Sequence, residues 1–318
     1  MPGPFFIPGV RLRGMQGPGS QPAWRVSARV SVPLDRPRIV AIVNLTPDSF
    51  HPGGRFTDAA AAVAHAERAL AQGADVIDVG AESTRPGAAR VEAAEQIARL
   101  TPFLDGLRRR AGATGRVPVS VDTTLSAVAR AALDAGADAV NDVSAGREDT
   151  AMFGLCAARG AGLVLMHRLR PPGEDSYSDR YARAPAYADV VEEVGEFLRE
   201  RCREAENAGI ARGSLVVDPG LGFGKTVEQN LELIRGTGRL AGLGCPVMSA
   251  LSRKSFVGRA GLGHDSTPEE RLEPTLRFSV EHLRAGARVF RVHDVAEHAV
   301  ALGEAWRGMS SVTSRGPT

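Results

Sequence analysis

The side chains best suited to chemistry in this chain recur in one kind of place: just after a short β-branched run. In chain order these are Asn44, Asp78 followed by Glu82-Ser83-Thr84-Arg85, Asp122, the pair Asn141-Asp142, Met166-His167, Asp218, Ser252-Arg253-Lys254-Ser255, and Arg291 with His293 and Asp294. Asp and Asn suit the N–H groups of a nitrogen-rich ring such as an amino-pyrimidine, and Arg, Lys and His suit phosphate. Converging on one mouth, they describe a site for a polar, nitrogen-rich, anionic ligand. Lysine usage adds a second pointer. Lys and Arg together number 39, yet only Lys225 (in DPGLGFGKT) and Lys254 (in SALSRKSFVG) are lysine. Where guanidinium supplies the general positive charge, a retained ammonium marks either a task for a compact cation or chance survival in an Arg-biased chain.

Each position has a structural alternative. Asp122 in SVDTT can cap the next helix, Asp218 before Pro219-Gly220 can close a turn, and Asn141-Asp142 can form an Asx turn. These alternatives would all have to hold together to empty the site. His167 reads as structural, and His65, His264, His282 and His298 read as surface residues without mutual spacing. GLGFGKT imitates a phosphate-cradling loop, but that motif needs glycine where Pro219 stands. Neither the histidines nor Cys156, Cys202 and Cys245 form a metal-binding pattern, so the expected cation, if any, is a hard one such as Mg²⁺ held by an oxygen ligand and substrate phosphates.

The elements that must position these groups alternate in one manner. β-branched runs at 39–43, 76–79, 117–121, 139–143, 163–166, 215–217, 246–250 and 287–292 are interleaved with stretches of helical spacing at 59–72, 92–110, 125–135, 151–158, 187–208, 229–235 and 268–285. Several helical stretches end in a glycine before Ala or Ile (Gly73, Gly136, Gly209, Gly286), which suits the left-handed residue that stops a helix. Eight such units without a composition break predict a single (β/α)8 barrel with its site at the carboxyl ends of the strands. A doubly wound sheet competes, but the first turn, VNLTPDSF, has no GxGxxG. The barrel is expected over residues 24–308, between a loose Pro/Gly-rich arm at 1–23 and a frayed polar tail at 309–318. Trp24–Val32 alternates like a strand, half of a hairpin closing the barrel floor.

With 43% hydrophobic residues and a net charge of +2, the chain gives no electrostatic case for a nucleic acid or an anionic membrane as partner. No apolar run approaches spanning length, and the opening MPGPFFIPGVRLRG lacks the order of a signal peptide. Three scattered cysteines suit free thiols in a reducing cytoplasm.

The motifs NLTPDSF, AESTRPGA, SVDT, NDVSAG, LMH, DPGLGFGKT, SRKSFVG and RVHDV follow the eight runs in order, and over about residues 38 to 305 they resemble dihydropteroate synthase. That resemblance implies a TIM barrel, usually a homodimer, which condenses 6-hydroxymethyl-7,8-dihydropterin diphosphate with p-aminobenzoate. It implies that Asp218 and Asn141 read the amino-pyrimidine edge, that Asp122 lies by the ring nitrogens, that Lys254 donates to the carbonyl and N5 side, and that Arg291 stacks on the ring. Met166 and Phe223 would line the pocket. Asn44 would coordinate Mg²⁺, and Thr84, Arg85, Arg291 and His293 would hold the diphosphate. Phe50 and Pro86 would wall the aminobenzoate, and Ser255 would meet its carboxylate. Lys225 gains no role beyond an ion pair or loop anchor, so Lys225→Arg is expected to be tolerated.

Departures from the family pattern are Ala81 for a second glycine, the lead-in MSAL before SRKS, and a longer charged loop, HRLRPPGEDSYSDRY. A corrinoid-dependent methyltransferase would share the barrel and the pterin contacts but would not need STRPG, SRKS and RVHDV. A catalytically silent relative would not need Asn44, Arg85, Asp122, Lys254 and His293 intact.

Overall fold

A computed structural model describes residues 22–46, 55–111 and 117–314. Phe50, the arm up to residue 21 and the last four residues lie outside that set. The chain opens with strands β1 (Ala23–Arg25) and β2 (Ser31–Pro33), paired antiparallel, so the WRVSARVSV segment supplies both arms of a hairpin and not half of one. Next comes β3 (Arg38–Asn44), α1 (Arg55–Ala71), β4 (Val76–Gly80), α2 (Ala93–Ala111), β5 (Val119–Asp122), α3 (Ser126–Asp134), β6 (Ala139–Asp142) and α4 (Ala151–Arg159). The second half runs β7 (Gly162–Met166), α5 (Val190–Asn207), β8 (Leu215–Asp218), α6 (Val227–Arg235), α7 (Thr237–Ala241), β9 (Met248–Ser249), α8 (Ser255–Leu262), α9 (Leu272–Ala285), β10 (Val289–Val292) and α10 (Val295–Ser314).

Strands β3 to β10 form one eight-stranded sheet, each neighbouring pair parallel. A parallel bridge from Val217 to Val247 joins β8 to the chain just before β9 and closes the ring. The fold is the expected (β/α)8 barrel. Gly73, Gly136, Gly209 and Gly286 all have φ between 100° and 125°, so the four glycines do stop their helices. The final helix continues to Ser314, past the expected start of a frayed tail at 309. The Ser310 and Ser311 hydroxyls bond to the carbonyls of Trp306 and Gly308 within the same helix.

Period-two alternation sorts the strand residues. Ile39, Ala41, Val43, Ile77, Val79, Val119, Val121, Val140, Leu163, Leu165, Val217 and Phe290 face outward and share one apolar core with the helices. Val40, Val76, Ala139, Val164, Val216, Met248 and Val289 face inward and form a separate plug with Trp24, Val26, Val32 and Leu34 of the hairpin segment. Trp24 donates to the carbonyl of Ser214 (3.3 Å) and the amide of Gly162 to the carbonyl of Val26 (2.8 Å), which seats the hairpin on the barrel floor. The apolar plug ends there. Two residues further along five of these strands, the inward positions are Asp78, Asn141, Met166, Asp218 and Arg291, while Ile42 and Ala250 follow Val40 and Met248, so polarity rises toward the mouth on most of the ring.

Candidate active site

The inward register brings residues distant in sequence onto one level. Asp78 stands beside Ser120, Gly80 beside Asp122, and Asp122 beside Asn141. From β10, Arg291 reaches across the barrel: its Nε donates to Asp78 Oδ2 and its Nη2 to Asp122 Oδ2, both at 2.7 Å. The Asp78 carboxylate also accepts from Ser120 Oγ (2.5 Å) and from Asn141 Nδ2 (3.4 Å). Both carboxylates are nearly sealed from solvent, with side-chain exposures of 1% and 6%. Burial alone would lower the Arg291 pKa, but Asp78 and Asp122 outweigh it and hold the guanidinium charged. The guanidinium is thus fixed by its edge.

Asp122 is the electrostatic anomaly. Burial pushes its pKa up to about 7, Arg291 opposes the rise, and Asp78, Asp142 and Glu82 reinforce it. Its Oδ1 has no hydrogen-bond partner, and neither has the buried Oδ1 of Asn141. Two orphaned acceptors side by side in a barrel interior are costly unless a donor fills them. The helix-cap alternative for Asp122 fails: the following α3 has Leu125 at its cap without a side-chain bond, and Ser126 N donates to Asp149.

The turn alternatives resolve differently at each acid. Asp142, one residue past Asn141, points outward, and its carboxylate accepts from Ser144 N, Ser144 Oγ and Gly146 N. It is the Asx turn, while Asn141 belongs to the interior. Asp218 does both jobs. Its Oδ1 accepts from Gly220 N (2.7 Å) while the side chain lines the mouth, and burial raises its pKa against the opposing charge of Lys254.

The turn after β8 holds Lys254 from below. Lys254 Nζ donates to the carbonyl of Leu221 and lies 4.4 Å from the Phe223 ring centroid. Phe223, Met166 and Val143 pack together as a small apolar wall. Gly222 has φ +84°, and a Cβ there would sit 2.9 Å from Lys254 Cδ, so the turn must be glycine where the lysine stem passes. Lys254 is half-buried, and burial lowers its ammonium pKa to about 8, with Asp218 opposing. Its aim comes from Arg253, a non-glycine residue at φ +58°. That conformation is held by Thr275 Oγ1 on its amide, by Arg271 on its carbonyl, and by the ion pair of its guanidinium with Asp294.

On the rim, His293 Nδ1 lies 3.0 Å from Ser252 Oγ. Burial, then the charges of Arg291 and Arg253, lower its pKa to about 3, so it is a neutral imidazole at physiological pH, with Arg85 close enough to add to the shift. Thr84 and Pro86 are half-buried and Arg85 exposed on the loop after β4, Asn44 is half-buried at the end of β3, and Ser255 opens α8. Among the described residues no three His, Cys, Asp or Glu side chains cluster as a metal site. Asn44 offers a single neutral oxygen at the mouth.

Two sequence expectations change. Of the two roles expected for Lys225, the contacts are those of a loop anchor: it is fully buried, with Nζ at 3.0 Å from His167 Nδ1, 3.0 Å from Gly220 O and 2.8 Å from Phe223 O. With the ammonium enclosed in this way, a longer planar guanidinium is expected to fit poorly, against the expectation that Lys225→Arg is tolerated. His282 on α9 and His298 on α10 are not surface residues: both are fully buried, His298 bonded to Asp294 O and beside Ser279 of α9. Asp78 was visible as a strand-end acid but had no assigned role. Its inward parity was the available signal.

The sequence profile of the pterin binding enzyme family matches residues 40–293. The dihydropteroate synthase of Streptococcus pyogenes serotype M6 is 40% identical over 257 residues, covering 81% of this chain and 90% of that one. The chain belongs to the dihydropteroate synthase family. A probable bifunctional folylpolyglutamate synthase/dihydropteroate synthase of Haloferax volcanii is 43% identical over 271 residues, where this chain spans 30% of that longer protein. Among solved structures, the Xanthomonas albilineans dihydropteroate synthase with 4-aminobenzoic acid superposes with a TM-score of 0.80 at 39% identity, covering 94% of this chain and 100% of that one. The family match thus reaches every barrel strand and the site residues from Asn44 to His293.

Proposed function

We propose that the mouth of this barrel joins 6-hydroxymethyl-7,8-dihydropterin diphosphate to p-aminobenzoate, giving 7,8-dihydropteroate and diphosphate. The observation that carries the residue assignment is the pair of orphaned buried oxygens on Asp122 and Asn141, beside Asp218 and the edge-held Arg291. An amino-pyrimidine ring brings N–H donors to such acceptors. Asn141 and Asp218 take its amino edge, Asp122 its ring nitrogens, Lys254 its carbonyl and N5, and a face of Arg291 its π-surface. Met166 and Phe223 supply the apolar wall.

In the reaction the carbon–oxygen bond to diphosphate breaks, the aniline nitrogen bonds to the freed methylene carbon, and the nitrogen loses one proton. Diphosphate is a good leaving group and the aniline a weak nucleophile, so charge stabilisation and positioning matter more than a strong base. We assign a dissociative course in which diphosphate leaves first and ionised Asp122 stabilises the pterin cation. Arg85, Thr84, Arg291 and neutral His293, as an N–H donor, take the diphosphate oxygens. Pro86 and Phe50 flank the aminobenzoate, and Ser255 with the α8 amides meets its carboxylate. The amide oxygen of Asn44 would be the protein's ligand to a hard Mg²⁺ taken up with the substrate phosphates, and such an ion would neutralise leaving-group charge.

The same reading makes the protein a cytoplasmic homodimer. Its three thiols are unbridged and buried, which supports a reducing compartment, and no described helix is long and apolar enough to cross a membrane. An open face of α9, where Leu272, Leu276 and Val280 lie among Glu273, Arg277, Glu281 and Arg284, offers a mixed apolar and charged surface for a second copy. The test of function is incubation with the dihydropterin diphosphate, Mg²⁺ and labelled p-aminobenzoate. Labelled dihydropteroate is expected, and its absence with folded protein overturns the proposal.

A further inference from the structure

Residues 168–187, which include most of the charged loop that departs from the family pattern, touch both halves of the mouth. At one end the carbonyl of Pro172 accepts from the amide of Gly87 (2.9 Å), and Gly173 passes so close to Ala88 that an added Cβ would lie 3.3 Å from its carbonyl oxygen. Gly87 follows Pro86 and Arg85 directly. At the other end the loop grips Gly224 from both sides. Asp175 Oδ2 accepts from Gly224 N (2.8 Å), and Tyr187 Oη donates to Gly224 O (3.0 Å). The Leu169 side chain packs on the same residue. Asp175 is itself fixed, because its Oδ1 accepts from Ser176 N (2.9 Å) and Tyr181 Oη (2.5 Å) and the residue is 9% exposed. A further contact runs through Asn230, whose Nδ2 donates to Ser178 Oγ and whose Oδ1 accepts from Gly222 N. The turn so gripped carries Leu221 O and Phe223, the two groups that hold Lys254.

We propose that residues 168–187 are a strut coupling the loop at 81–92 to the turn at 219–225, with Asp175 as a positioning residue for Lys254 and for the Thr84-Arg85-Pro86 loop. The strut makes the geometry of the pterin half of the site depend on the other half. Its kinetic consequence rests on the function proposed above, but the coupling itself does not.

The test is hydrogen–deuterium exchange on the full chain without substrates, comparing parent, Asp175→Ala and Asp175→Asn. Losing a charge-assisted bond to a buried amide corresponds to roughly a tenfold change in local opening. In Asp175→Ala, exchange should rise about tenfold at 219–225 and also rise at 83–90, which Asp175 does not touch. Asp175→Asn keeps an acceptor for Gly224 N and should restore most of the protection. The KM values for both substrates should rise together in the alanine variant and recover in the asparagine variant. Faster exchange confined to 169–187 and 219–225, or unchanged KM for both substrates, overturns the proposal. If Asp175→Ala does not fold, Tyr187→Phe and Tyr181→Phe remove single hydroxyls from the grip, and the same pattern must appear at smaller amplitude. A parent enzyme that makes no dihydropteroate would sink the assigned reaction while leaving the exchange result interpretable.

Discussion

Replacing Asp122 by asparagine keeps the shape of the side chain and an acceptor for Arg291 but removes the charge assigned to stabilising the pterin cation. Two unit charges about 4 Å apart interact by about 4 kcal/mol at an effective dielectric of about 20. Arg291, bonded at 2.7 Å, offsets part of the carboxylate's charge. About 3 kcal/mol therefore remains for the transition state, or roughly a hundredfold in kcat. Ground-state binding of the pterin should change by only about threefold, since one acceptor oxygen is retained. The pH profile adds a second readout. With a folded-state pKa near 7, Asp122 in the free enzyme is ionised above that pH and protonated below it, so kcat/KM should rise through pH 7 in the parent. The acid limb should vanish in Asp122→Asn. The assay is steady-state turnover with labelled p-aminobenzoate from pH 5.5 to 9, paired with fluorescence titration of the dihydropterin. An Asp122→Asn enzyme that binds pterin and turns over at the parental rate, or that keeps the acid limb, refutes the role.

Other outcomes follow from the same geometry. Asp78→Ala strips one carboxylate from a buried ion-pair network and leaves Ser120 Oγ and Arg291 Nε without their acceptor, so stability should drop by about 3–5 kcal/mol in urea denaturation; a drop under about 1 kcal/mol would mean that the pair is not structural. Lys254→Arg puts a planar fork on a stem already pressed against Gly222 and should lower kcat/KM by at least about a hundredfold in the same turnover assay, whereas near-parental activity would show that any cation suffices. Burial depresses the Lys225 pKa to about 7, well below its unfolded value, so the unfolded chain binds more protons above pH 7 and stability should rise from pH 7 toward 10. Lys225→Met should flatten that rise when ΔG is measured against pH, and an unchanged slope would assign it to other groups.

Much of the barrel and its mouth was legible because strand and helix periods are local. Eight β-branched runs with polar ends state the topology, and the glycines at 73, 136, 209 and 286 mark the helix stops. The choice between Asn141 and Asp142 was legible in principle from inward parity, since one residue of offset turns a ligand-facing amide into a turn-capping acid. The same rule would have promoted Asp78. The burial of Lys225 was not legible, because it depends on His167 approaching from 58 residues away. Nor was the grip of residues 168–187 on Gly224, where a polar, aperiodic loop gives no sign of its partner. His282 and His298 misled because a helix-borne histidine reads as polar until packing places it.

The most direct test of the site is a crystal structure with the dihydropterin diphosphate bound. The ring should lie with its amino edge on Asn141 and Asp218, its nitrogens on the free oxygen of Asp122, its face on Arg291, and Lys254 drawn toward its carbonyl from Leu221. A pterin bound elsewhere, or one that leaves the Asp122 and Asn141 oxygens unfilled, would contradict the account.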